Sequence, residues 1–363
     1  MTFHDSASQL PGGVLTQETW RLLDANVNRC MEGLRTLEDV ARFVLNDFAL
    51  SRSWKDLRHS LREIASRWPR SELLAARDAI TDVGRMIKTK PESHRDGFAE
   101  IVAAAAGRCQ ESLRLLGEVA KVFDSQAACE LENLRYDCYS LAAHQEGRLN
   151  RRLRLADARL YVLIDCQRDA EDFENHVRRL FEMGADVIQL RDKIAVDSVL
   201  YDRAVRAAKV AKTADGIFIV NDRMDVAVAA NADGVHLGQT ELPAAIARKL
   251  VGGRMLVGIS THSIDQAREA VESGADYIGC GPTFGSTTKE FATFSGLNYL
   301  REIAEEDTVP AFAVGGIDLD NLADVLATGM RRIAVAGAVA NSAEPYDAVK
   351  RIAAALKQST FHS

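Results

Sequence analysis

The sequence predicts a two-part α/β protein: an all-α N-terminal domain over residues 1–150, a helical linker over 151–157, and a (β/α)8 TIM barrel over 158–363. Three observations carry this. Residues 16–150 hold apolar positions at three- and four-residue steps, with no strand-like runs between them. From Arg159 to Gly337, eight short apolar runs alternate with helical stretches. Three of those stretches run into Gly-Ala-Asp or Asn-Ala-Asp just before the next apolar run (Gly184–Asp186, Asn231–Asp233, Gly274–Asp276). Gly or Asn at such a place is a left-handed helix stop. A doubly wound sheet fits eight repeated units less well.

The helical part reads in order. Thr16 is an N-cap before a helix whose apolar stripe is Leu22, Leu23, Val27, Met31, Leu34, Leu37, Val40 and Val44. "WKDLRHSLREIASRW" is a second helix, stopped by Pro69. Residues 77–96 lack a period and hold Gly84 and Pro91, which predicts a loop. Residues 97–123 and 126–150 form two more helices, giving antiparallel pairs. The basic, Leu-spaced run "RLNRRLRLADAR" (148–159) continues the last helix into the linker.

Composition narrows the function. The chain has 363 residues, 47% hydrophobic and 27% charged, with a formal charge of −7. Residues 1–150 carry 20 Lys+Arg against 22 Asp+Glu, and the remainder 25 against 30. Neither part is basic, so no nucleic-acid partner is expected. Six scattered cysteines without a CxxC argue against a zinc ribbon or disulfide framework and point to a reducing, cytoplasmic setting. No N-terminal signal core and no apolar run near 18 residues is seen, so no membrane association is expected.

The strand candidates are "RLYVLID", "ADVIQLR", "GIFIVND", "ADGVHL", "RMLVGIS", "ADYIGCG", "VPAFAVG" and "RRIAVAG". In a barrel, the strand C-termini and the loops after them form the catalytic face. The second strand ends in Gln189, Arg191 and Lys193, at a spacing that aims alternate residues one way. Asn221 and Asp222 follow the third strand; His236, Gln239 and Glu241 the fourth; Ser260 the fifth; Ser286, Thr288 and Lys289 the sixth. Small residues end the seventh (Gly315, Gly316) and eighth (Ala336, Gly337, Ala338).

Each signal alone has a bland explanation. Asn221-Asp222 caps the next helix, Glu241 faces a helix dipole, and His236 is a packed histidine, since no second histidine stands at ligand spacing. Convergence changes the balance. Backbone N–H groups of small residues after strands seven and eight suit a phosphate. Two cations and an amide suit a more highly charged phosphate group, and Asp222 and Glu241 are hard oxygen ligands of the Mg2+ type. The face therefore reads as a site for one diphosphate with Mg2+ and one monophosphate.

The stretches "QLRDK", "VNDRMDVAVAANADGVHLGQTELP", "GISTHS", "ADYIGCGPTFGSTTKEF" and "AVGGIDLDNLADVLATGMRRIAVAGAV" resemble the thiamine-phosphate synthase (thiamine-phosphate pyrophosphorylase) family over residues 158–357. The resemblance implies that Gln189, Arg191, Lys193, Asn221, Ser260 and Lys289 hold hydroxymethylpyrimidine diphosphate, with Lys193, Ser260 and Lys289 catalytic. It implies Asp222 and Glu241 as Mg2+ ligands, although the family usually has Asp at the latter. Ser286, Thr287, Thr288, Gly316, Ala336 and Gly337 would receive the thiazole phosphate. The family more often reads Thr-Pro-Thr at the first three, and Ser is common at Gly337. The implied reaction breaks the methylene C–O bond of the pyrimidine, releases pyrophosphate, and lets the thiazole nitrogen attack the resulting cation. No protein nucleophile is needed, in keeping with the lack of a Ser-His-Asp or Cys-His set.

"RLLDANVNRCMEGLRTLEDVARFVL" and "LRHSL" resemble a helical domain fused to this synthase in some bacteria, which implies phosphorylation of the hydroxymethylpyrimidine precursor. The residues themselves offer no GxxxxGK[ST] loop. Asn26, Asn28, Arg29, Glu32, Arg35 and Glu38 read as a solvated face with i,i+3 ion pairs, and "RDAITDVG" (77–84) is the most site-like loop. A scaffold or dimerisation role, with homo-oligomers, stays open. The alternatives to the synthase are a thiazole tautomerase-like enzyme and a non-catalytic regulatory protein.

Overall fold

The structure is a computed structural model that describes residues 15–77, 94–285 and 295–358. The chain divides into two compact units, Met1–Asn150 and Arg151–Ser363.

The first unit is helical: α1 (Gln17–Phe43), α2 (Phe48–Ser66), α3 (Arg70–Ala75), α4 (Phe98–Ala120) and α5 (Ser125–Arg154) as far as Asn150, the residues from Arg151 belonging to the second unit. Thr16 caps α1 as expected, its hydroxyl accepting from the Thr19 N–H. Asp47 caps α2, its carboxylate taking the Leu50 N–H at 2.9 Å. Pro69 ends one helix and opens the short α3, which the periodicity did not reveal. Leu23, Leu34 and Leu37 of the α1 stripe are fully buried against Trp54 and Leu61 of α2 and Leu113 and Leu116 of α4, whereas Leu22 is exposed. A polar latch crosses this core: Trp54 Nε1 donates to Gln145 Oε1 at 2.5 Å, and Gln145 Nε2 donates to the Leu37 carbonyl at 3.1 Å.

The polar face expected on α1 is only partly solvated. Arg35 pairs with Glu38 at i+3 and Asp39 at i+4. Glu38 is nevertheless buried and bonds Arg58 of α2 at 2.9 Å. Asp24 is buried too and holds Arg77 by two bonds of 2.7 and 2.8 Å. Most of the predicted loop, including residues 78–84 of "RDAITDVG", lies outside the described residues.

The second unit contains eight parallel strands among the described residues: β1 (Leu160–Ile164), β2 (Val187–Leu190), β3 (Ile217–Asn221), β4 (Gly234–Leu237), β5 (Leu256–Thr261), β6 (Tyr277–Cys280), β7 (Ala311–Val314) and β8 (Ile333–Val335). They pair in sequence order and close where β8 meets β1, with Val335 opposite Val162. Between them lie α6 (Ala170–Glu182), α7 (Asp197–Ala214), α8 (Met224–Ala229), α9 (Ala244–Val251), α10 (Ile264–Glu272), α11 (Gly296–Glu306) and α12 (Leu322–Leu326). After β8 come α13 (Gly337–Ala340) and α14 (Pro345–Gln358).

Alternate residues on each strand serve two cores. Val162, Ile188, Phe218, Val235, Val257 and Ile278 pack outward against the helices. Tyr161, Val187, Ile219, Leu256, Tyr277 and Phe312 fill the barrel. Both faces are buried, which is why the strands read as continuous apolar runs.

The three triplets do more than stop helices. Gly184, Asn231 and Gly274 have φ of 105°, 53° and 94°, the left-handed stop expected. The aspartate after each then clamps the start of the preceding strand. Asp186 takes the N–H of Leu160, Asp233 that of Phe218, and Asp276 that of Val257, at 2.8, 2.8 and 2.9 Å.

Candidate active site

A cleft of about 930 Å3 opens over the carboxyl ends of the strands. Gln189, Arg191, Asn221, Ser260, Gly316, Ala336 and Gly337 all line it, so seven of the sequence-predicted site residues meet on one concave surface. They reach it from β2, β3, β5, β7 and β8 or the turns directly after them.

The end of β2 differs from a simple alternating row. The strand stops at Leu190. Gln189 points into the barrel, 2% exposed, with Nε2 on the Tyr161 hydroxyl at 3.0 Å. Arg191 is half-buried, its N–H held by the Ile164 carbonyl at 2.8 Å. Lys193 stands beyond the strand, largely exposed, with Nζ 3.8 Å from Asp222 Oδ2. Asp192 shapes this turn. Its carboxylate takes the N–H groups of Ile194 and Ala195 at 2.8 Å each and of Cys166 at 3.0 Å. Burial works to raise its pKa, but these bonds outweigh it and leave the group below its usual value. The Asp-x-x spacing is an Asx-turn signal.

Asp222 sits in the left-handed region, φ 59°, with its N–H on the His236 carbonyl at 2.8 Å. That bond ties the ends of β3 and β4; the carboxylate is 23% exposed and, like Lys193, is not among the residues that line the cleft. Glu241 is exposed in the loop after β4, its N–H on the Gly238 carbonyl; it does not line the cleft. Ser286, Thr287, Thr288 and Lys289 lie outside the described residues.

The opposite wall is backbone. Gly315 and Gly316 have φ of 102° and 64°, and a Cβ on Gly316 would come 2.5 Å from the Gly285 carbonyl oxygen, so only glycine fits this turn. Gly337 and Ala338 open α13, where the first N–H groups of a helix lack intrahelical acceptors.

The cleft floor was not foreseen. It is built of Tyr161, Tyr277 and Phe312, whose ring centroids lie 5.3 to 6.0 Å apart, with His236 tilted against Tyr277 at 5.5 Å. The Tyr277 ring occupies the space over Gly258, where a Cβ would fall 2.1 Å from its Cζ. His236 is packed, with a hydroxyl at each ring nitrogen. Its Nδ1 is 3.2 Å from the Tyr277 hydroxyl and its Nε2 2.9 Å from Ser260 Oγ. Burial, helped by the charge of Arg191, depresses its pKa to about 4, so the ring is neutral near pH 7. His262, which carried no signal in the sequence, also lines the cleft and sets its Nδ1 on the Gly281 carbonyl. Hydroxyl and ring positions such as these depend on the closed barrel, which spacing alone does not reveal.

Residues 160–339 match the model of the family described as thiamine monophosphate synthase, and residues 21–144 that of the ThiD2 family. The chain is 43% identical to a thiamine-phosphate synthase of Rhodopirellula baltica, over 93% of this chain and 92% of the relative. It is 39% identical to one of Gloeobacter violaceus, over 91% and 94%. A solved thiamine phosphate pyrophosphorylase of Pyrococcus furiosus superposes with a TM-score of 0.51 at 34% identity, covering 57% of this chain and 98% of that one.

Proposed function

Because the chain belongs to the thiamine-phosphate synthase family, we propose that its barrel cleft joins hydroxymethylpyrimidine diphosphate to a thiazole phosphate, releasing pyrophosphate, with Mg2+ as cofactor. The observation that supports it best is the convergence of Gln189, Arg191, Asn221 and Ser260 with the backbone of Gly316, Ala336 and Gly337 on one cleft. Arg191 with the neutral donors Asn221 and Ser260 faces one side and small-residue backbone the other, which suits two different phosphate groups.

Arg191, Lys193 and Asn221 bind the diphosphate and oppose the charge that grows on it as the methylene C–O bond breaks. Ser260 donates to the leaving group or the pyrimidine, and Lys289 completes the set. The first N–H groups at Gly316, Ala336 and Gly337, with Ser286, Thr287 and Thr288, hold the thiazole phosphate so that its ring nitrogen faces the methylene carbon. Tyr161, Tyr277 and Phe312 form an apolar floor that keeps water from the pyrimidine cation. Asp222 and Glu241 would hold Mg2+, hard carboxylate oxygens of the kind this ion takes beside a diphosphate. The ion would add positive charge beside the departing diphosphate.

The test supplies both substrates and Mg2+ and measures thiamine phosphate and pyrophosphate together. Both products in equal amounts, lost when either substrate is omitted, support the reading. Turnover of the thiazole phosphate alone would favour a tautomerase, and no turnover under any combination a regulatory protein.

The helical unit carries the ThiD2 match, and two separate ion pairs, Asp24–Arg77 and Glu38–Arg58, hold buried carboxylates on α1. Its proposed activity is phosphorylation of the hydroxymethylpyrimidine precursor, tested by ATP-dependent product formation with the full chain. Among the described residues no helix is long and apolar enough to cross a membrane, and all six cysteines are free thiols. The proposed partners are small-molecule substrates, the proposed setting is cytoplasmic, and the proposed assembly is a homo-oligomer.

A further inference from the structure

The barrel holds a continuous string of hydrogen bonds beneath the cleft. Gln189 Nε2 lies 3.0 Å from the Tyr161 hydroxyl, and that hydroxyl 3.1 Å from the Tyr277 hydroxyl. The Tyr277 hydroxyl lies 3.2 Å from His236 Nδ1, and His236 Nε2 2.9 Å from Ser260 Oγ. Four strands besides that of Ser260 contribute: β2, β1, β6 and β4. We propose that Tyr161, Tyr277 and His236 are positioning residues, a relay of fixed direction that starts at the Gln189 amide and leaves the Ser260 hydroxyl proton free for the substrate.

The direction follows from one end. An amide nitrogen can only donate, so the Tyr161 oxygen accepts from Gln189. Its own proton is then left for the Tyr277 oxygen. The Tyr277 proton in turn goes to His236 Nδ1, which fixes the neutral ring as the Nε2–H tautomer. Nε2–H donates to Ser260 Oγ. With that lone pair used, the serine proton has no partner within the relay and turns to the cleft, which Ser260 lines. Gln239 Nε2, 2.6 Å from the Ser260 carbonyl, holds the backbone while the relay sets the side chain.

Two features keep the relay from running backwards. Gln189 and both tyrosines are buried, so water does not compete for their protons. Burial also raises both tyrosine pKa values, keeping the hydroxyls protonated. The hydrophobic need at Tyr161 and Tyr277 would be met by phenylalanine, as it is at Phe312. The hydroxyls are what the relay adds.

The inference rests on the synthase reading, and its test separates the two. Histidine 15N–1H correlation spectra of the full chain need no substrate. The Nε2–H tautomer is expected for His236, with Tyr277→Phe giving a mixture or the Nδ1–H form; an Nδ1–H ring in the unaltered protein overturns the relay whatever the protein catalyses. In the synthase assay, Tyr277→Phe is expected to lower kcat about tenfold, the effect of one misdirected hydrogen bond, with KM for the thiazole phosphate unchanged. Combined with Ser260→Ala it should cost nothing further, because the relay acts only through that hydroxyl. Additive losses in the double variant, or a Tyr277→Phe variant with full kcat, would refute it. Tyr161→Phe, which keeps the ring packing, serves as the second variant should Tyr277→Phe unfold.

Discussion

Asp276 Oδ2 holds the backbone N–H of Val257 at 2.9 Å, while the same carboxylate takes Arg151 Nε at 2.7 Å and a second arginine, Arg248. One side chain just before β6 thus fixes where β5 begins and neutralises two cations in a place 5% exposed. Removing the carboxylate leaves both guanidinium groups without their anion and the strand without its clamp. Asp276→Ala should cost roughly 3–5 kcal/mol, the usual result of breaking a buried ion pair from one side. Urea unfolding measures it. A loss under 1 kcal/mol would show that solvent replaces the carboxylate easily.

The Lys193–Asp222 pair calls for the opposite balance. The two groups stand 3.8 Å apart with Lys193 57% exposed, so their mutual attraction adds little to folding, on the order of 0–1 kcal/mol. Their proposed work is on the diphosphate. Lys193→Ala or Asp222→Ala should lower kcat by roughly 10²–10³-fold, the scale of a lost transition-state charge contact. Thermal unfolding and steady-state rates on the same preparations check both halves; wild-type rates in both variants would remove these residues from the mechanism.

How much of this was legible follows from where each residue acts. Strand runs and helix stops are local, so the barrel could be read from Gly184, Asn231 and Gly274 and the runs after them. Asn221, Ser260 and Gly316 could be placed because each sits at or beside a strand end, and strand ends share one face in a barrel. Gln189 falls on the predicted strand, but the two-residue period that groups it with Arg191 and Lys193 ends where β2 stops at Leu190. Tyr161, Tyr277 and Phe312 looked like ordinary apolar strand residues. Their contacts span up to 151 positions of chain between Tyr161 and Phe312, and only barrel closure brings them together. Glu38 reads as solvated because its partner three residues earlier, Arg35, is visible in sequence, whereas Arg58, which buries it, comes from another helix.

The depressed pKa of His236 makes stability depend on pH in a definite direction. Unfolded, the ring titrates near 6.5; folded, burial and Arg191 hold it near 4. Above pH 6.5 both states are neutral and the full stability is present. As pH falls from 6.5 through 4, the unfolded chain binds a proton that the folded one refuses, and stability drops by up to about 3 kcal/mol, less whatever the open cleft returns through solvent. His176, also depressed to about 4 by burial and nearby arginines, adds a loss of the same sign. The difference in unfolding free energy between wild type and His236→Gln, followed from pH 7 to 4, isolates the first ring. A constant difference across that range would mean His236 charges as readily folded as unfolded.

Gly258 tests whether the aromatic floor can move. A Cβ there would meet Tyr277 Cζ at 2.1 Å and both Cε atoms at 2.5 Å, far inside contact distance. The ring cannot simply retreat, because Tyr161 and Phe312 stand behind it with centroids 6.0 and 5.8 Å away. Gly258→Ala must therefore displace Tyr277 or spread β5 from β6, where Gly258 and Tyr277 are register partners. Overpacking of this kind costs about 1–3 kcal/mol. If the ring shifts, its hydroxyl also leaves His236 Nδ1, so kcat should fall along with stability. Gly258→Ala combined with Tyr277→Leu, whose shorter side chain frees the space, should recover most of the stability and none of the rate. Recovery of both would mean that the tyrosine at this position serves packing alone.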